Sequence, residues 1–132
     1  MTDHNIGVDI SKSYLDVFRL EDCAAQRFDN TALGFRALGK WLGRAPVARI
    51  VFEPTGAYHK AFEAALGDRL PLVKVNPLQA RRFAEAYGTR AKTDAVDARM
   101  LARMGAAFDL EPQVPQSRKY VFSETCMLRV PG

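Results

Sequence analysis

The sequence predicts a mixed α/β domain in which a five-stranded sheet is flanked by helices, in the order strand-strand-strand-helix-strand-helix-strand-helix-helix. Three observations predict it. Three short runs, an apolar one at 5–10, one rich in β-branched and aromatic residues at 14–20 and one at 25–29, follow one another across short turns, as a meander does. Apolar runs at 49–53 and 71–75 then alternate with segments of helical period. Helix start and stop signals fall between those runs: Asn30 or Thr31, Gly43, Gly67 and the pair Asn76-Pro77.

Taken in order, Asn5-Ile6-Gly7-Val8-Asp9-Ile10 is a short apolar strand carrying one acid. Ser11-Lys12-Ser13 turns it into an antiparallel partner, and a third strand follows the Glu21-Asp22 turn. Phe35, Leu38 and Leu42 recur at i, i+3 and i+7, which marks the buried face of a first helix ended by Gly43. Arg49-Ile50-Val51-Phe52-Glu53 is a strand stopped by Pro54, because proline cannot donate to a ladder. Tyr58, Phe62 and Leu66 define one face of a second helix, which places Tyr58 in the core. A strand at 71–75 leads to a helix capped by Asn76, with Leu78 and Phe83 inward, Arg81 and Arg82 outward or sideways, and a stop at Gly88. A last helix opens at Lys92-Thr93-Asp94-Ala95-Val96-Asp97-Ala98 and runs to Phe108. Beyond it Pro112 and Pro115 break the pattern, so 1–110 reads as one domain and 111–132 as an irregular or truncated tail.

At 132 residues, 48% hydrophobic and 26% charged, the chain supports one real core and is not expected to be disordered. No apolar run approaches the roughly 20 residues that span a bilayer, and no signal peptide precedes Asn5. Cys23 and Cys126 have neither metal spacing nor a disulfide framework, which suits a reducing cytoplasm. The net charge of +4 suggests a polyanionic partner. Its distribution says more: Lys74, Arg81, Arg82, Arg90, Lys92, Arg99 and Arg103 face only Glu85, Asp94 and Asp97 in that segment, an excess equal to the whole chain's.

The acids carry the chemistry. Wound at 3.6 residues per turn, Asp94 and Asp97 stand about 60° apart, on the side of Leu101, Met104 and Phe108. Inward carboxylates are rare unless a cation or a metal pairs them. The plainer reading is a helix start, with Thr93 or Asp94 as the N-cap and Asp97 as a first-turn acid. Two more acids stand at apolar strands, Asp9 within the first and Glu53 at the end of the fourth, where ligands of open α/β sheets collect. Four converging carboxylates repel one another unless cations neutralise them. Mg²⁺ or Mn²⁺ suits such an all-oxygen set, and two ions about 3.5–4 Å apart clamp a phosphodiester for in-line displacement. Zinc is disfavoured, since His4 and His59 lie far apart and have no cysteine beside them.

Four blocks resemble a known family in order and spacing: Gly7-Val8-Asp9-Ile10-Ser11-Lys12, the run from Phe52 to His59, Val75-Asn76-Pro77, and Lys92 to Ala98. It is the insertion-sequence one-ten family of DEDD transposases, the bridge-RNA-guided recombinases, whose relatives include a pilin-gene invertase. The resemblance covers roughly residues 5–108. It implies a RuvC-like fold within the RNase H-like group, with which the strand and helix order agrees. It also implies that Asp9, Glu53, Asp94 and Asp97 form the DEDD metal site for Mg²⁺ or Mn²⁺. DNA and a structured guide RNA are the implied partners, and a dimer or higher homo-oligomer the implied assembly, working at the bacterial nucleoid. In the family a second, C-terminal domain supplies a serine nucleophile. This chain ends at Gly132 and is expected to lack that domain, so Ser117 and Ser123 are not assigned its role.

Around that set, Lys92 is placed to touch a phosphate near the scissile one, and Lys74, Arg81, Arg82 and Arg90 to track a nucleic-acid backbone. A solvated basic face is the competing reading for each. Trp41 has no aromatic ladder around it and reads as a core or domain contact. An actin-like ATPase or sugar kinase shares the first phosphate turn, but no second Asp-x-Gly strand or Gly-rich adenosine motif follows. A structure-specific nuclease on the same fold, using metal-activated water, and a non-catalytic nucleic-acid-binding fragment are the remaining alternatives.

Overall fold

The computed structural model describes residues 3–87 and 97–111. Its elements follow the predicted order: β1 (His4–Ile10), β2 (Tyr14–Arg19), β3 (Ala24–Asp29), α1 (Ala32–Leu42), β4 (Val47–Phe52), α2 (Lys60–Leu66), β5 (Leu72–Lys74), α3 (Pro77–Ala86) and α4 (Ala98–Phe108). They form one mixed sheet of order β3-β2-β1-β4-β5. β1, β2 and β3 pair antiparallel, whereas β4 and β5 join parallel to β1 and to each other. This five-stranded sheet flanked by helices is consistent with the RNase H-like group.

Alternation along the strands separates two apolar layers. Ile6, Val8 and Ile10 of β1 join Leu15, Val17, Ile50 and Phe52 in a cluster with Phe35, Leu38, Phe62 and Leu66 of α1 and α2. Val51 and Val73 belong to the other face, with Ala80 and Ala84 of α3 and Met100, Leu101 and Met104 of α4. Gly7 and Asp9 alternate with Ile6 and Val8 and therefore share the face that α4 covers.

The caps explain the helix boundaries. Thr31 Oγ1 accepts from the Gly34 amide and Gly43 closes α1. Asn76 caps α3 ahead of Pro77 at its first turn. The last helix corrects the sequence expectation: α4 starts at Ala98, not at the Thr93-Asp94 step, because the Asp97 carboxylate caps it by accepting from the Met100 amide at 2.9 Å. Asp97 is consequently exposed rather than turned inward with the apolar stripe. Lys92 and Asp94 lie outside the described residues, as do Arg90, the predicted stop at Gly88 and nearly all of the predicted tail.

Three predicted core positions also move. Phe108 is 57% exposed at the end of α4, where its ring meets Phe83 of α3 edge-on instead of the sheet. Leu78 is 48% exposed, since small Ala80 and Ala84 form the contact face of α3 and bring its backbone close. Tyr58 is 46% exposed because α2 begins only at Lys60; the buried neighbour is His59, against the Phe52 ring. Trp41 is half-buried, edge-on to Phe28 with the Arg19 guanidinium over its ring.

Candidate active site

Two close approaches press α4 onto the sheet. A Cβ at Gly7 would lie 1.9 Å from the Ala98 carbonyl oxygen and 2.7 Å from the Ala102 nitrogen, so only glycine lets β1 touch the first turn of α4. A Cβ at Gly105 would lie 2.6 Å from Val51 Cγ2, which seats the far half of the helix on β4. Arg49 then fixes that end. Its Nε donates to the Leu110 carbonyl at 2.8 Å, while its Nη groups donate to Asn5 Oδ1 and Asp109 Oδ1. With both ends held, the position of Asp97 relative to β1 is set by rigid structure.

That position is beside Asp9. Burial raises the Asp9 pKa above the ordinary carboxylate value, and the charges of Asp16 and then Asp97 raise it further. The three carboxylates line one open cleft of about 440 Å³, whose walls include Arg27 on β3 and Arg99 on α4. Asp16 and Arg27 come from the sheet register: Asp9 stands opposite Asp16 and Asp16 opposite Arg27, a charged row across three strands.

Glu53 arrives from β4. Val8 pairs with Phe52, so Asp9 and Glu53 are the next residues along the two parallel neighbours. The Thr55 hydroxyl donates to the Ile10 carbonyl at 3.2 Å and ties the loop after Glu53 to the end of β1. Glu53 is 7% exposed, one of few buried charged groups among the described residues, though it does not line the cleft itself. Of the predicted acids, then, Asp9 and Asp97 meet at the cleft, Glu53 is buried beside it in register, and Asp94 lies outside the described residues. Among the described residues alone, no three carboxylate, imidazole or thiol side chains stand close enough together to hold a metal ion.

Arg90 and Lys92 lie outside the described residues, and the three predicted basic residues that are described lie away from the cleft. Lys74 ends β5 and pairs with Glu63 at 3.3 Å. Arg81 and Arg82 belong to α3, where Arg82 borders an apolar groove with Phe83 and Phe108. None of these three lines the acidic cleft. Of the cleft's own residues, Arg99 belongs to the basic segment legible in the sequence, whereas Asp16 and Arg27 carry no sequence signal of their own. The register of β1, β2 and β3 alone sets Arg27 two strands from Asp9, across Asp16.

A family model described as a transposase, that of the insertion-sequence one-ten DEDD group, matches residues 6–121. The chain is similar to a pilin gene-inverting protein of Moraxella lacunata, 34% identical over 108 residues, covering 76% of this chain and 34% of that protein. A pilin gene-inverting protein of Moraxella bovis is 33% identical over the same length and coverage. The chain spans about a third of the length of the curated relatives it matches.

Proposed function

We propose that this chain, which belongs to the insertion-sequence one-ten family of DEDD transposases, is the catalytic RNase H-like part of a DNA transposase or site-specific recombinase. The observation that carries the reading is the meeting of Asp9, on the central strand, with Asp97 at the start of α4, at a price in Asp9 ionisation. A fold gains nothing by crowding carboxylates, so the arrangement suits a site that takes a cation.

The donors fit a hard divalent ion such as Mg²⁺ or Mn²⁺: all are carboxylate oxygens, and a cation relieves the repulsion felt at Asp9. Asp9, Glu53 and Asp97 would hold it together with Asp94. A bound ion of this kind supplies a Lewis acid that polarises a phosphate and stabilises the charge developing on it. The chain's own residues do the rest. Asp97 serves twice, capping α4 through one oxygen while its charge faces the cleft. Buried Glu53 is shielded from bulk water, which strengthens its attraction for a cation. Cleavage and exchange of DNA strands at insertion-sequence ends, guided by RNA and completed by a partner C-terminal domain in an oligomer, is the full activity we assign. The similarity to proteins that invert a pilin gene supports recombination over simple nuclease action.

The test is the affinity of the chain for a branched DNA with Mg²⁺ or with EDTA, in wild type and Asp9→Asn. The reading expects Mg²⁺ to tighten wild-type binding and Asp9→Asn to lose that increment while keeping the metal-independent part. Equal behaviour of the two proteins in Mg²⁺ would instead favour a non-catalytic nucleic-acid-binding fragment.

A further inference from the structure

The row Asp9–Asp16–Arg27 contains an arginine whose geometry is set before any ligand arrives. Arg27 donates from Nε to Asp16 Oδ1 at 2.8 Å and from Nη2 to Asp16 Oδ2 at 3.2 Å, a two-pronged pair. The same guanidinium lies 4.5 Å from the centre of the Tyr14 ring. A carboxylate on one edge and a ring below leave little rotational freedom, and Nη1 makes no hydrogen bond among the described residues. Yet the side chain is 60% exposed, at a place where an isolated surface ion pair adds little to stability. Across the cleft the exposed Arg99 lies two residues past Asp97, in the first turn of α4.

An acidic floor repels a polyanion, and Arg27 cancels one of its three charges by pairing with Asp16 while keeping donors to offer. Asp16 has both oxygens committed to that pair, so it acts on Asp9 through space and on Arg27 as a positioning residue. We infer that Arg27, oriented by Asp16 and Tyr14, binds a backbone phosphate of the nucleic acid at the β2–β3 rim of the cleft, with Arg99 taking another at the opposite rim. This rests on the transposase reading above for the nature of the ligand, but not on any metal being bound. It moves the backbone track from the α3 basic residues to the walls of the acidic cleft.

The test is the salt dependence of binding to a short fluorescein-labelled DNA duplex in EDTA, read by anisotropy on the full chain. Arg27→Gln is expected to weaken binding roughly tenfold at 50 mM salt and to lower the slope of log K against log salt by about one. Arg99→Gln is expected to do the same, and the double variant to lower the slope by about two. Arg27→Lys keeps the charge and is expected to hold the wild-type slope. Arg36→Gln, removing an equal charge from α1 on the other layer, controls for net charge. The inference is overturned if Arg27→Gln, folded by circular dichroism, keeps the wild-type slope, or if Arg36→Gln changes it equally. Wild type that binds no DNA at all would sink the transposase reading itself, which separates the two failures.

Discussion

Asp9 and Asp97 do opposite things for the fold, and that difference can be measured. The Asp9 pKa is raised in the folded chain by burial, Asp16 and Asp97, so between the unfolded and folded values the native state holds a proton that the unfolded chain has released. Stability is therefore fullest below the unfolded carboxylate pKa and falls as pH rises through the raised folded value, after which the loss is complete. Asp9→Asn removes that loss. It is expected to raise Tm at neutral pH, by roughly 3–6 °C for each kcal/mol relieved, and to leave Tm less dependent on pH above the ordinary carboxylate range. A fall in Tm at neutral pH would contradict this account of Asp9. Asp97 in contrast supports its helix. Asp97→Ala is expected to cost about 1 kcal/mol in urea unfolding by loss of the cap, whereas Asp97→Asn keeps a side-chain acceptor and costs little. If both variants bind Mn²⁺ equally poorly while only the alanine is destabilised, capping and ligation are separate duties of one carboxylate. Undiminished Mn²⁺ binding in the asparagine variant would remove Asp97 from the ligand set.

The element that matters most is α4, because it carries Asp97 to Asp9. Gly7→Ala puts a methyl group into the Ala98 carbonyl, and the helix must move off β1. The expected result is a loss of about 1–3 kcal/mol in stability together with weaker Mn²⁺ binding, since the carboxylates separate. Full stability and full binding would mean that β1 and α4 need not touch. Arg49→Ala releases the other end of the helix, at a cost of about 2 kcal/mol for its charge-assisted hydrogen bonds. Most of this machinery was hard to read from the chain. The helix itself was legible from its apolar period, but its start was placed too early, since Thr93, Asp94 and Asp97 are all acceptable caps and only tertiary packing chooses among them. Gly7 stood in a recognisable block, yet its reason is the approach of a segment some 90 residues on, which no local pattern encodes. Leu78 and Tyr58 misled for a related cause. Periodicity marks apolar positions, while the contact face of α3 is built from small Ala80 and Ala84, and α2 starts after Tyr58.

At the scale of the whole molecule, the order of elements was fully legible because alternation and caps are local signals, and the sheet order β3-β2-β1-β4-β5 turns it into a site. β1 is the central strand, so its Asp9 is flanked by Glu53 through the parallel neighbour and by Asp16 through the antiparallel one. Asp9, Glu53 and Asp97 are named by sequence and resemblance, whereas Asp16 and Arg27 reach the site through the strand register, which sequence does not state, and Arg99 through the start of α4. Among the described residues, no helix is long and apolar enough to cross a membrane. Among the described residues, Arg27 and Arg99 stand in the same cleft as the carboxylates of Asp9, Asp16 and Asp97. The central claim is that a divalent cation binds where β1 meets the start of α4. Anomalous diffraction from a crystal soaked in Mn²⁺ tests it most directly. The account predicts a manganese peak in contact with the carboxylates of Asp9 and Asp97. A crystal in which those carboxylates stand apart in solvent, with no manganese between them, would contradict it.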